Sequence, residues 1–150
     1  MNNKKLIVAG VVGAALSIAA AGGAAWAHHA FAAEFDGKSP VLLRGKVTRV
    51  EWINPHAWVH VNAVGPDGQT TAWMVEGGTP NTLLRAGIDR NTLKPGTEII
   101  VRGYQSKDRL CRPACKANGR DVTFPDGKKL FMGSSGTGAP SDGADPTEKK

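Results

Sequence analysis

The side chains with the most chemistry to offer are four histidines, His28, His29, His56 and His60, all in the first 60 positions of a 150-residue chain. An unprotonated imidazole nitrogen is a ready ligand for divalent transition metals. The position of His28 sharpens this. Ala25-Trp26-Ala27 places small residues at the two positions that a signal peptidase reads, so the expected cut falls between Ala27 and His28. His28 would then carry a free α-amino group of pKa about 8, and that amine and the imidazole Nδ1 could chelate one cation as a ring. Nitrogen ligands in a tetragonal plane favour Cu(II). A second imidazole, from His29, His56 or His60, would complete the three-nitrogen plane known as a histidine brace, so copper is the expected cofactor if there is one. Ideal strand geometry separates His56 from His60 by about 13 Å, which lets at most one of them join the same ion without a bend. The turn-forming pair Asn54-Pro55 offers that bend beside His56. The competing reading is plainer: a solvated chain end, and an outward histidine on a strand.

Other residue types add less. Cys111 and Cys115 are spaced to pair in an oxidising compartment, and a disulfide that pins a loop is the expected state. A soft-metal site for Cu(I), helped by Met74 or Met132, is the alternative. Trp52, Trp58 and Trp73 fall on neighbouring predicted strands, where with His60 they could form a ligand-binding aromatic face, or could simply pack across strands. Glu34, Asp36, Glu51 and Glu76 show no paired-carboxylate pattern and are expected to be solvated or salt-bridged. There is no G-x-S-x-G elbow, H-E-x-x-H helix or phosphate loop, so no catalytic residues are assigned and an enzyme is not expected.

Elements able to position these groups follow from the hydrophobic pattern. Residues 1–27 read as a signal peptide, with Lys4 and Lys5 ahead of an Ala-, Gly- and Val-rich run. The expected location is therefore the periplasm, with membrane contact only before cleavage. Removing this segment lowers the formal charge of +6 by two, to +4. That is a modest balance, without the clustered basic stripe of a nucleic-acid binder, and nucleic acid is not an expected partner. Residues 28–132 are expected to form one domain. VLLRGKVTRVEW alternates and then switches parity between Val47 and Val50, as a strand with a bulge or bend does, with Gly45 where a coiled strand cannot hold a Cβ. AWVHVNAV and TTAWMVE flank Gly65-Pro66-Asp67-Gly68 as a hairpin. Thr79-Pro80 caps a short helix with Leu83, Leu84 and Ile88 at helical spacing, and Gly87 ends it. TEIIVRGY, a polar loop with both cysteines, and a last hairpin of RDVTF, PDG and KKLFM complete the order. The tail, residues 133–150, holds no large apolar residue and is expected to be disordered. Three strands, a helix and further strands make an all-β fold with one short helix, expected to be a small OB-like β-barrel; an open β-sandwich or roll is the alternative.

Several of these segments together resemble a known family. HHAFAAEFD from His28, Gly45-Lys46-Val47, EWINPHAW from Glu51, WMVE from Trp73, LRAG from Leu84, LKPG from Leu93 and NGRD from Asn118 are similar to a family of small exported bacterial proteins catalogued only as a domain of unknown function. The resemblance covers nearly all of the expected domain. It implies a periplasmic, barrel-like single domain whose mature end starts at or near the paired histidines, and it implies no activity. Two functions are consistent with the residues: a non-enzymatic periplasmic protein that binds copper through His28, His29 and His56 or His60, and an accessory module that binds a partner protein, small ligand or envelope component through the Trp58/His60 face.

Overall fold

The computed structural model describes residues 31–133; the expected signal peptide, His28, His29 and the tail from 134 onward lie outside the described residues. After a helical stretch at 31–34 the elements are β1 (Phe35–Glu51), β2 (Trp58–Val64), β3 (Thr70–Glu76), α1 (Pro80–Arg85), β4 (Glu98–Ser106), β5 (Cys115–Thr123) and β6 (Lys129–Phe131). The strands lie in the order β3-β2-β1-β4-β5-β6, and β3 also pairs with β5. That extra pairing is parallel while all the others are antiparallel, and it closes β1-β2-β3-β5-β4 into a ring. The fold is an all-β, OB-like barrel with its helix between β3 and β4.

The long β1 serves two neighbours because its pattern changes partway. Leu43 and Val47 point into the core, and a register shift between Val47 and Arg49 turns the strand so that Val50 packs against the same core. This is the parity switch read in the sequence. β1 also begins six residues earlier than its apolar run. Phe35 pairs with Ser106 of β4 across a second irregularity, and the Asp36 carboxylate gathers the Lys38 amide and Ser39 hydroxyl to shape that stretch. At Gly45 the coiling brings β2 so close that a Cβ would sit 2.0 Å from the Asn62 carbonyl oxygen.

Inside the barrel Val59, Val61 and Ala63 of β2 meet Val75 of β3, Val101 of β4 and Val122 of β5. Leu83, Ile88, Leu93 and Met132 join them. The Thr79 hydroxyl accepts the Thr82 amide and caps α1, an interaction typically worth about 1 kcal/mol, and Gly87 leaves the helix at a φ of +84°. A helix of six residues has room for one inward position. Leu83 takes it and Leu84 stays exposed. β5 is longer than expected, since it begins at Cys115 instead of Arg120. Lys, Ala, Asn and Gly have low strand propensity; here partners on both sides, β3 and β4, hold them extended.

Gly45→Ala is expected to destabilise the protein by about 3 kcal/mol, the upper end of overpacking costs, because the group it strikes is backbone. A urea midpoint within error of the parent would contradict this. Gly68→Ala, at a turn glycine with nothing within 4 Å, serves as the comparison for φ strain alone.

Candidate functional site

Side chains on the outer surface of the barrel line up in rows, because each strand pairing sets a residue beside its partner on the same face. One row runs Glu51, Trp58, Glu76, Asn118, Tyr104, across β1, β2, β3, β5 and β4. The next runs Arg49, His60, Met74, Lys116. Outer-face residues are ordinarily wet. In the first row, however, Glu76, Asn118 and Tyr104 are all buried.

Tyr104 is covered by the segment that precedes and begins β1. Phe31 and Phe35 form a separate apolar cluster with Tyr104; the Phe31 ring meets the Tyr104 ring edge-on at 5.6 Å and the Phe35 ring at 5.8 Å. The Glu34 carbonyl accepts the Lys107 amide at 2.8 Å, and the Lys107 ammonium donates to the Ala32 carbonyl. Arg109 donates to Asp36 and Ser39. The segment is thus laid across the ends of β4 and β5, outside the main core.

In the same row as Tyr104, Glu76 is 8% exposed. The Asn118 amide donates to its Oε1 at 3.2 Å. His56 stands on the other side, with Nδ1 3.7 Å from the same oxygen and 3.3 Å from the Gly77 carbonyl. Burial pushes the Glu76 carboxyl above its ordinary value; His56 opposes this, the Glu34 carboxylate reinforces it, and the Asn118 hydrogen bond and Lys116 oppose it. Lys116 also pairs with Glu34 at 3.5 Å. Glu34, Lys116, Asn118 and His56 therefore all act on one buried acid.

The orientation of His56 has a chemical consequence. A carbonyl oxygen can only accept, so the neutral ring holds its proton on Nδ1 and donates it to Gly77. Its Nε2 lone pair is left for an outside ligand, the arrangement in which metal-binding histidines are usually held. The bend expected at Asn54-Pro55 is present, and it places His56 in the loop before β2, not on the strand. His60 is differently engaged: it is buried and its Nε2 lies 2.8 Å from Glu51 Oε1, which also pairs with Arg49. The structure does not bring His56 and His60 to one acceptor, and no group of three or more His, Cys, Asp or Glu suited to a metal occurs among the described residues.

Nor are the three tryptophans on one face. Trp58 stands in the outer row between Glu51 and Glu76. Trp73 is paired with the inward Val61 and packs against the core, as does Trp52, whose ring carries the Arg90 guanidinium at 5.5 Å. Cys111 and Cys115 form a disulfide, with Cys115 at the first residue of β5. Glu76 and Asn118 were not distinguished by the sequence pattern. The available signal was parity, which put Glu76 on the same face as Met74 and opposite to Val75.

A family model described as a family of unknown function, DUF6152, matches residues 14–112, well over half of the chain. The chain belongs to that family. No curated protein matches it.

A carboxyl whose folded-state pKa is raised binds its proton more tightly in the folded than in the unfolded state. Its contribution is therefore greatest below the unfolded value of about 4.5 and is lost as pH rises to the raised folded value. Glu76→Gln keeps an oxygen for Asn118 and removes this titration. The variant is expected to unfold at higher temperature than the parent at pH 7 and to differ little from it at pH 4. A lower melting temperature at pH 7 would contradict the reading.

Proposed function

We propose that this is an exported, non-enzymatic binding protein whose site holds Cu(II) between the mature N-terminus and His56. In this reading a signal peptide of residues 1–27 directs the chain to the periplasm, cleavage after Ala27 frees the α-amine of His28, and that amine, the His28 or His29 imidazole and His56 Nε2 supply the nitrogen plane. The observation that carries it is the placement of Glu34 and His56 against adjoining outer rows, Glu34 paired with Lys116 at 3.5 Å and His56 3.7 Å from Glu76, which lies next to Asn118 on the neighbouring strand. It supports a short path from the chain end to His56, the one imidazole among the described residues whose Nε2 is left open. Phe31 is fastened on Tyr104, and the three residues from His28 to Phe31 can span at most about 10 Å. The Gly77 carbonyl, which takes the Nδ1 proton, is the group that would orient His56, with the Glu76 carboxyl 3.7 Å from the same nitrogen. His60, engaged by Glu51, is outside the proposed ligand set.

A second reading rests on Trp58, which faces outward and is partly exposed: the same outer row serves as a contact surface for a partner protein, small ligand or envelope component. The two are separated by one titration. Protein starting at His28 is expected to bind one Cu(II) with a tetragonal, nitrogen-rich spin-resonance spectrum. One extra N-terminal residue should weaken binding at least a hundredfold, and His56→Ala should weaken it by about tenfold or more with the fold intact. Equal affinity of the processed and extended forms would overturn the copper site and leave the contact surface as the better reading.

A further inference from the structure

At the far end of β2, about 20 Å along the strand from Trp58 at 3.3 Å per residue, the outer face has a different chemistry. A cleft of about 480 Å³ opens there, within the usual range for small-molecule sites. The close approach at Gly45 shapes it: β1 coils between β2 and β4, and the outward side chains on either side of the coil enclose a saddle. Val64, 54% exposed, forms one wall. Ile100, with Phe124 and Pro125 of the β5–β6 turn, forms the other. Ile100 is paired with Arg44 on one side and Thr123 on the other, which puts Arg44 at the edge of the apolar floor.

The charges at this cleft are unbalanced. Lys46 and Glu98 face each other at 3.5 Å, both well exposed, so they offset one another. Arg44 also lines the cleft, is exposed and forms no ion pair among the described residues. An apolar wall with one uncompensated guanidinium at its edge complements a molecule with a hydrocarbon body and a single carboxylate, which Arg can hold through two parallel hydrogen bonds.

We propose that this cleft is a binding site for a small amphipathic carboxylate of the fatty-acid type, taken up as a free molecule, with its chain against Val64, Ile100 and Phe124 and its head on Arg44. The site is separate from the histidine end of the barrel and does not depend on copper. The test is an amide-shift titration of the mature chain with decanoate below its micelle concentration. Saturable shifts confined to residues 44–46, 64, 100 and 123–125 are expected, with affinity lowered at least fivefold by Arg44→Gln and lost in Val64→Asp, an exposed position where the fold should tolerate the change. Decyltrimethylammonium should bind at least fivefold more weakly. The proposal is overturned if decanoate shows no saturable shifts, if the cationic surfactant or the Arg44→Gln variant binds equally well, or if only phosphatidylglycerol vesicles perturb these residues, which would make the cleft a membrane-contact surface.

Discussion

The parallel pairing of β3 with β5 is the constraint on which the other features rest. It joins Trp73–Glu76 to Cys115–Asn118 and so turns an open sheet into a barrel, with Val75 and Ala117 inside and Glu76 and Asn118 side by side outside. Closure removes two strand edges that would otherwise expose unpaired amides and carbonyls. It also demands a close fit just beyond the pairing: a Cβ on Gly119 would lie 2.8 Å from both the Met132 sulfur and a Val75 methyl. The disulfide to Cys111 ends on Cys115, the first residue of β5 to meet β3, so the covalent link and the closing strand pair share one point.

Once the ring is closed, the outer face divides by what covers it. At one end of β2 the segment from Phe31 to Phe35 lies over Tyr104, and in the same row a carboxyl group that would ordinarily be hydrated is buried with one amide and one imidazole near it. Burying an acid in this way opposes stability unless charges and donors offset it; His56, Asn118 and Lys116 do so in part. At the other end nothing among the described residues covers the surface, and apolar side chains remain beside an uncompensated arginine. A single strand therefore joins a polar, titratable end to an apolar, cationic one.

The barrel was legible in the sequence because its inward faces obey strict periodicity. Val59, Val61 and Ala63 alternate without exception, the parity switch after Val47 marks the bulge, and Thr79-Pro80 with Gly87 brackets the helix. Extension of β5 over Cys-Lys-Ala-Asn-Gly was not legible, because it depends on β3 and β4 and not on local propensity. The candidate site was half legible. His56 was favoured over His60 for the bend beside it, and its placement in the loop before β2 follows from that bend. The burial of Glu76 was hidden, since its neighbours Asn118 and Glu34 lie more than 40 positions away in the chain. The tryptophans looked alike by type and strand, yet one residue of parity sends Trp73 inward and Trp58 outward.

We attribute the burial of Glu76 to the N-terminal segment and the β3–β5 closure together, and the most direct measurement is the titration of its carboxyl carbon by nuclear magnetic resonance in the parent protein and in Phe31→Ala. The expected result is a raised pKa in the parent that moves back toward the ordinary carboxylate value when the Phe31–Tyr104 contact is removed, with the barrel still folded. An ordinary pKa in the parent, or a raised one that Phe31→Ala leaves unchanged, would contradict the account.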